Sequence, residues 1–358
     1  MVLCHEIAES RCRDSHGASD LKLFAMAAVL VTSAGGVCLP VLFSRYSRGL
    51  KFYGTLLILV KCFAAGVILS TGFVHVMPEA FRALESDCLP ARPWRQFPFA
   101  GFVAMAAAIL TLLVDVLAAK HGETRPYVPL KSSEAVEDSA KCRDVEMGSP
   151  ATVFPVESYR VIGQDSCAAR AGSHSGIESA KSMMTQEENS EELGDQRQKL
   201  VSKVLEIGII FHSIIIGITL GISENRCTIT PLVGALAFHQ FFEGMGLGGC
   251  LAQANLGTRV TALMCCLFSV TTPVGIATGM TVKSIMGFNE SRPEAVIIAE
   301  GLLGSASSGI LVYMALVDLI AVEFLNTEKM KANPGLMAAA YCLLILGAGS
   351  MSLLALWA

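Results

Sequence analysis

Charge is what this sequence lacks most. Asp, Glu, Lys and Arg make up 16% of its 358 residues and hydrophobic residues 53%, with a mean hydropathy of +0.54. Soluble domains carry roughly 25% charged residues. A net charge of −4 leaves no basic excess for a nucleic-acid surface. Cys-x-x-Cys never occurs among the 12 cysteines, which excludes zinc ribbons and thioredoxin-like redox motifs. Cys38, Cys62, Cys250 and Cys342 lie singly in apolar runs and read as small packing residues. Cys4, Cys12, Cys88 and Cys227 fall outside the runs and are available for disulfides. His-Glu-x-x-His is also missing, which removes the two-histidine helix of an intramembrane zinc protease. Histidine itself is rare, 7 in all, so each one inside an apolar run carries information.

Long apolar runs are what the sequence has instead. About 20 apolar residues cross about 30 Å of hydrocarbon. Eight segments qualify: 21–43, 53–77, 97–119, 204–223, 231–253, 261–284, 295–320 and 335–357. The expected fold is therefore an all-α polytopic membrane protein with eight transmembrane helices. TSAGG at 32–36 would suit the end of a signal peptide, but Glu6, Glu9, Asp14 and Asp20 precede the run, unlike a positive leader. An uncleaved first span is expected. Most connections are short. Residues 120–203 differ: KSSEAVEDSAKCRD and MTQEENSEELGDQRQK are too polar to bury a core and predict a disordered loop. The chain thus divides into an N-terminal segment (1–20), spans one to three (21–119), the loop (120–203) and spans four to eight (204–358). RYSRGLK at 45–51 is basic without an acid and suggests a cytoplasmic side. The other short connections do not favour one orientation, so charge alone leaves the topology open.

An ionised side chain at mid-bilayer costs about 2.5–3.5 kcal/mol on insertion scales. Such groups persist where they face a bundle interior, a cavity or an ion. In FHQFFEGMGLGG (238–249) His239 and Glu243 stand at i and i+4, one above the other on one helical face. An imidazole and a carboxylate at that spacing suit one divalent ion of borderline softness, and Gln240 adds a carbonyl beside them. In EIGIIFHSIIIGITLG, His212 lies at mid-span and is followed by Ser213. The bland alternatives are a histidine that links two helices by a hydrogen bond, or a local His–Glu pair. Two neighbouring spans, each with a histidine at mid-depth and joined by a short connection, favour a shared site. His75 and Glu79 in GFVHVMPEA repeat the i, i+4 spacing at the end of span two. Asp115, Glu206, Glu300, Asp318 and Glu323 are further groups at several depths. Near span ends, Glu79, Glu206 and Glu323 are expected to snorkel to the interface. Gly217 and Gly221 form a G-x-x-x-G step, and Gly244, Gly246, Gly248 and Gly249 follow in span five. These small faces let helices approach closely, whether for transport or for generic packing. Pro273 is expected to open the backbone ladder of span six.

At these residues the sequence resembles the ZIP family of zinc/iron-regulated transporters, in its plant-type branch. The matching segments are GFVHVMPEA, EIGIIFHSIIIGITLG, ALAFHQFFEGMGLGGC, TTPVGIATG and YMALVDLIAVEF, in order along the chain with the long variable loop in its place. The resemblance implies an inverted repeat, spans one to three and six to eight, around spans four and five, with both termini on the far side of the membrane from the cytosol. It implies His212, His239 and Glu243 as metal ligands, Ser213 and Gln240 in support, and His75 and Glu79 in the pathway. Some relatives carry a carboxylate four residues after the span-four histidine and another just before the span-six proline; here those places hold Ile216 and Thr272. One ion rather than two is therefore expected. Many members have a histidine-rich loop, whereas this one has only His121 and His174, so a metal-buffering loop is not expected.

The resulting expectation is a divalent metal transporter, not an enzyme, that moves zinc into the cytosol. Iron, manganese and cadmium are also compatible with its nitrogen and oxygen ligands. The ion would bind near the midplane and leave inward through the His75–Glu79 pair, with alternating access between helix groups. It needs no prosthetic group, since the metal is cargo. A plasma-membrane address, the lipid bilayer and metal ions as partners, and a homodimer by resemblance complete the expectation. Loop lysines Lys131, Lys141, Lys181 and Lys199 and the loop serines would be acceptors for ubiquitin and phosphate, against the plain reading of an unconstrained linker. Rival classes are an iron-selective member of the same family, a cation-diffusion exporter, and a scaffold or sensor. An exporter of that type would have six spans and a cytosolic C-terminal domain, whereas this sequence ends in LLALWA. In a scaffold or sensor the histidines would only pack.

Overall fold

The structure is a computed structural model describing residues 15–47, 52–123, 175–223, 226–254, 256–286 and 293–356. Among the described residues there is no strand, and the long elements are helices. They are α1 (Ser15–Ser47), α2 (Tyr53–Ser70, running on through Thr71–Val76 into Met77–Leu84), α3 (Phe99–Glu123) and α4 (Ser175–Ile222). Then come α5 (Arg226–Gln253), α6 (Thr258–Met286), α7 (Pro293–Tyr313, running on through Met314–Ala321 into Val322–Asn326) and α8 (Pro334–Leu354). The chain forms two compact units, Met1–Glu123 with Glu191–Ala358, and Thr124–Ser190. Of the second unit only the helical backbone of 175–190 is described.

Within the segment 120–203, α4 begins at Ser175. The segment 175–203 is polar yet rich in Glu, Lys, Gln and Met and free of proline. Such residues favour helix whether or not there is a core to pack on. Residues 124–174, with Lys131 and Lys141, lie outside the described residues, as do Cys4 and Cys12 and the side chain of Cys227. Cys88 is not bridged.

Seven of the long helices are apolar and long enough to cross a membrane. The exception is α5, the helix that carries His239, Gln240 and Glu243. Its glycines and polar groups lower its hydropathy, and the fold compensates by wrapping it. α1, α2, α6 and α8 all pack on it, and Leu236, His239, Gln240, Glu243 and Leu247 are fully buried. α3 shows the opposite distribution, with Ile109, Leu110 and Leu113 turned outward as hydrocarbon-facing groups should be.

Close approach of backbones holds the centre together. A Cβ on Gly244 of α5 would lie 2.8 Å from the Val37 nitrogen of α1 and 2.9 Å from the Phe268 ring of α6. The G-x-x-x-G step of α4 faces a matching step in α6. A Cβ on Gly217 would lie 2.7 Å from the Thr272 carbonyl, and one on Gly279 2.9 Å from Gly221 Cα. α6 runs unbroken from Thr258 to Met286 through Pro273, so the expected opening of its ladder does not break the helix.

The two ends of the bundle are marked by polar ties. At one end the buried Lys22 of α1 donates to the Gly221 carbonyl at 2.7 Å, and Lys283 of α6 donates to the Ile222 carbonyl at 3.4 Å. Both lysines thus satisfy the unpaired C-terminal carbonyls of α4, where positive charge also suits the helix dipole. At the other end Arg45 donates to Thr258 at 2.9 Å. There Lys61 of α2 pairs with Glu323 of α7 and donates to Gln253 of α5 at 2.6 Å.

Candidate metal site

His212 of α4 and His239 and Glu243 of α5 converge at mid-bundle. Each offers one ligand atom, and these atoms all lie within 4.8 Å of one another. His212 Nε2 is 3.7 Å from Glu243 Oε1, and the two imidazole centroids are 6.0 Å apart. All three side chains have no exposed surface. His212 Nε2, His239 Nε2 and both Glu243 oxygens have no hydrogen-bond partner among the described residues. Buried polar atoms are normally paired because an orphan loses its hydration for nothing. Two imidazoles and one carboxylate that converge with unpaired atoms have the chemistry of a donor set for a divalent cation.

Ser213 and Gln240 flank the cluster. Both are fully buried, and Gln240 Nε2 donates to Ser213 Oγ at 3.4 Å, tying α4 to α5 beside the ligands. Gln240 Oε1 is left unpaired. Thr272, at one of the two places where some relatives carry a carboxylate, is buried with an unpaired hydroxyl, and Ile216 fills the other.

His75 is brought to the site as well. It lies in the widened π turn Thr71–Val76, is buried, and its ring centroid stands 6.3 Å from that of His239. Glu79, one turn further on, is half-buried and within electrostatic reach of Glu300 of α7. The helix order gives the position of the His75–Glu79 pair along the bundle. The distal end of α2 packs against the start of α7, where Leu84 meets Gly301. That is the end of the bundle at which α1 starts and α4 finishes. Glu79 therefore lies between the cluster and the end of the bundle at which α1 starts.

Toward the opposite end lie Glu206, Asp318 and Glu323, all buried. Snorkelling therefore does not describe Glu206 or Glu323. Glu323 is instead held by Lys61. Asp115 accepts from Tyr313 Oη at 3.1 Å, joining α3 to α7. Two groups escaped the sequence reading. Lys61 is a lysine within an apolar span, and that rarity was the available signal. Ser307 of α7 contacts His212 Nδ1; a serine distant in sequence gives no signal of its own.

Fold and residue cluster together define a polytopic helical membrane protein with two histidines and a glutamate buried between two of its helices. The comparisons agree with that class. Residues 19–355 match the family described as ZIP Zinc transporter. The chain is 44% identical to Zinc transporter 6, chloroplastic, of Arabidopsis thaliana, over 98% of this chain and 97% of that protein. It is 45% identical to Zinc transporter 7 of Oryza sativa subsp. japonica, over 97% and 91%. It is 40% identical to Fe(2+) transport protein 3, chloroplastic, of Arabidopsis thaliana, over 100% and 90%. The chain belongs to the ZIP family. Its relatives are transporters rather than enzymes, and the missing protease motif agrees with that.

Proposed function

We propose that this protein carries divalent metal ions, zinc foremost, across a membrane into the cytosol by way of His212, His239 and Glu243. One observation carries the reading: three buried ligand side chains from two adjacent helices converge with their donor atoms unpaired. The ion enters past Glu79 and His75, binds singly at mid-bundle, and leaves past the acidic groups of the opposite end, Asp318 and Glu206. Two imidazoles and a carboxylate give the mixed nitrogen–oxygen set that zinc favours.

Eight spans with an inverted repeat complete the proposal, and three pairings support it. α1 meets α5 through glycine contacts as α6 meets α4; α2 and α7 each carry one π segment; α2 packs on α8 as α7 packs on α3. Each pairing maps one half onto the other.

Radioactive zinc uptake, with surface amounts matched, tests the site. Wild-type uptake abolished both in His212→Ala and in the His239→Ala/Glu243→Ala double variant is the expected result. Uptake that survives in both would mean that these residues only pack. A second reading, iron selectivity, is favoured by the relatives named Fe(2+) transport proteins at 40–42% identity. Ferrous iron that outcompetes zinc at equal concentration would establish it. The plasma membrane is the proposed address. Two relatives named chloroplastic make the plastid envelope the rival, and a fluorescent fusion separates the two.

A further inference from the structure

Two neighbouring serines on α7 touch two of the three histidine-bearing elements, α4 with His212 and the turn with His75. Ser307 Oγ contacts His212 Nδ1, and Ser308 Oγ donates to the Gly72 carbonyl at 2.9 Å. Gly72 belongs to the π turn that carries His75. Both serines are buried, at 1% and 0% exposure, so water does not compete for these bonds. α7 supplies no ligand to the converging trio, yet it holds the ring of one histidine and the backbone beneath another.

An imidazole has two nitrogens, and the bond made by one fixes what the other can do. When Ser307 accepts from Nδ1–H, the Nε2 lone pair is left for an ion, and Nε2 is the atom 3.7 Å from Glu243 Oε1. Ligating histidines commonly have their second nitrogen engaged in this way, and such partners orient the ring and set the tautomer. Ser308 acts on the backbone. A π turn widens the helix; the Gly72 carbonyl already accepts from the Met77 N–H within it, and the Ser308 hydroxyl adds a second bond from α7. Gly72 allows the approach, because a Cβ there would already lie 3.1 Å from Val312.

Resting on the metal-site reading above, we propose that Ser307 and Ser308 of α7 are positioning residues for transport. Ser307 selects the ligand-competent orientation and tautomer of His212. Ser308 pins the π turn that sets His75 beside His239. Movement of α7 would therefore alter both histidines at once, with no change in the ligand list.

The test is zinc uptake kinetics in cells with surface amounts matched, comparing wild type, Ser307→Ala, Ser307→Thr, Ser308→Ala and His212→Ala. Ser307→Ala is expected to raise the KM for zinc about 10–100-fold, the usual cost of losing a partner behind a metal ligand. Ser307→Thr, which keeps the hydroxyl, should stay near wild type. Ser308→Ala should lower the maximal rate more than it shifts KM, because His75 lies on the path rather than among the three ligands. If Ser307→Ala does not reach the surface, Ser307→Cys is read in its place, since a thiol is a poor hydrogen-bond partner of similar size. Wild-type KM in Ser307→Ala, with uptake abolished in His212→Ala, overturns the positioning role while leaving the metal site intact. Normal uptake in His212→Ala overturns the site itself and this role with it.

Discussion

Lys61 and Glu323 form a buried ion pair between α2 and the distal part of α7, with side-chain exposures of 3% and 5%. Breaking such a pair from one side strands a charge, and that typically costs about 3–5 kcal/mol. The whole margin of a folded protein is about 5–15 kcal/mol. The two single losses should not be equal. Lys61→Met leaves the Glu323 carboxylate beside the Thr327 hydroxyl at 3.4 Å, a weak partner for a full charge. Glu323→Gln leaves the Lys61 ammonium with Gln253 at 2.6 Å and with the new amide oxygen. Lys61→Met should therefore fall near the upper end of that range. Glu323→Gln should fall near the cost of a weakened charged hydrogen bond, about 1.5–3 kcal/mol. Lys61→Met combined with Glu323→Leu removes both charges and should recover most of the loss, because apolar replacement of a buried pair is often neutral or stabilising. Thermal unfolding of the purified protein in detergent, followed by loss of the monodisperse peak in size-exclusion chromatography, measures these forms together with Glu323→Leu alone. Additive behaviour around the cycle of Lys61→Met and Glu323→Leu, with no coupling between the sites, would refute the reasoning.

Three further predictions concern the helix contacts and the ion. Gly217→Val and Gly275→Val should each abolish surface expression, because their backbones already touch; Gly234→Ala has nothing within 4 Å of its added Cβ and should be neutral or slightly stabilising, all read by surface labelling. Lys22→Ala should destabilise the bundle by about 1.5–3 kcal/mol through loss of a charged hydrogen bond on Gly221, seen as a lower midpoint in the same thermal assay. Cadmium in excess should suppress zinc uptake, whereas calcium and magnesium should not, because hard cations prefer all-oxygen sites.

The cluster of His212, His239 and Glu243 was legible because its parts are local. His239 and Glu243 share a helical face by spacing alone, and a histidine in an apolar run is costly enough to stand out, as His212 does. The membrane class was legible for the same reason: an apolar run of span length has few other uses. What was not legible depends on packing between distant segments. Ser307 is an ordinary residue until α7 is laid against α4. The π turns Thr71–Val76 and Met314–Ala321 leave no mark in composition, because they arise from how α2 and α7 meet their neighbours. That the Glu79 end of α2 lies at the same end of the bundle as the start of α1 follows from span parity. The helical start of α4 was hidden by polarity, which reports the missing core and says little about backbone preference.

The poor apolarity of α5 has a consequence for biogenesis. A helix that carries a glutamate, a histidine and two glutamines cannot partition into lipid cheaply by itself, and its burial exists only after its neighbours are in place. During synthesis it follows α4 after a short connection, so the two would leave the translocation machinery as a hairpin, with the polar faces of His212, His239 and Glu243 turned toward each other. α1, already made, offers the glycine-lined seat. The segment with the most chemistry is thus the one that depends on its companions to enter the membrane, and a ligand substitution that makes it greasier should ease its insertion even as it ends transport.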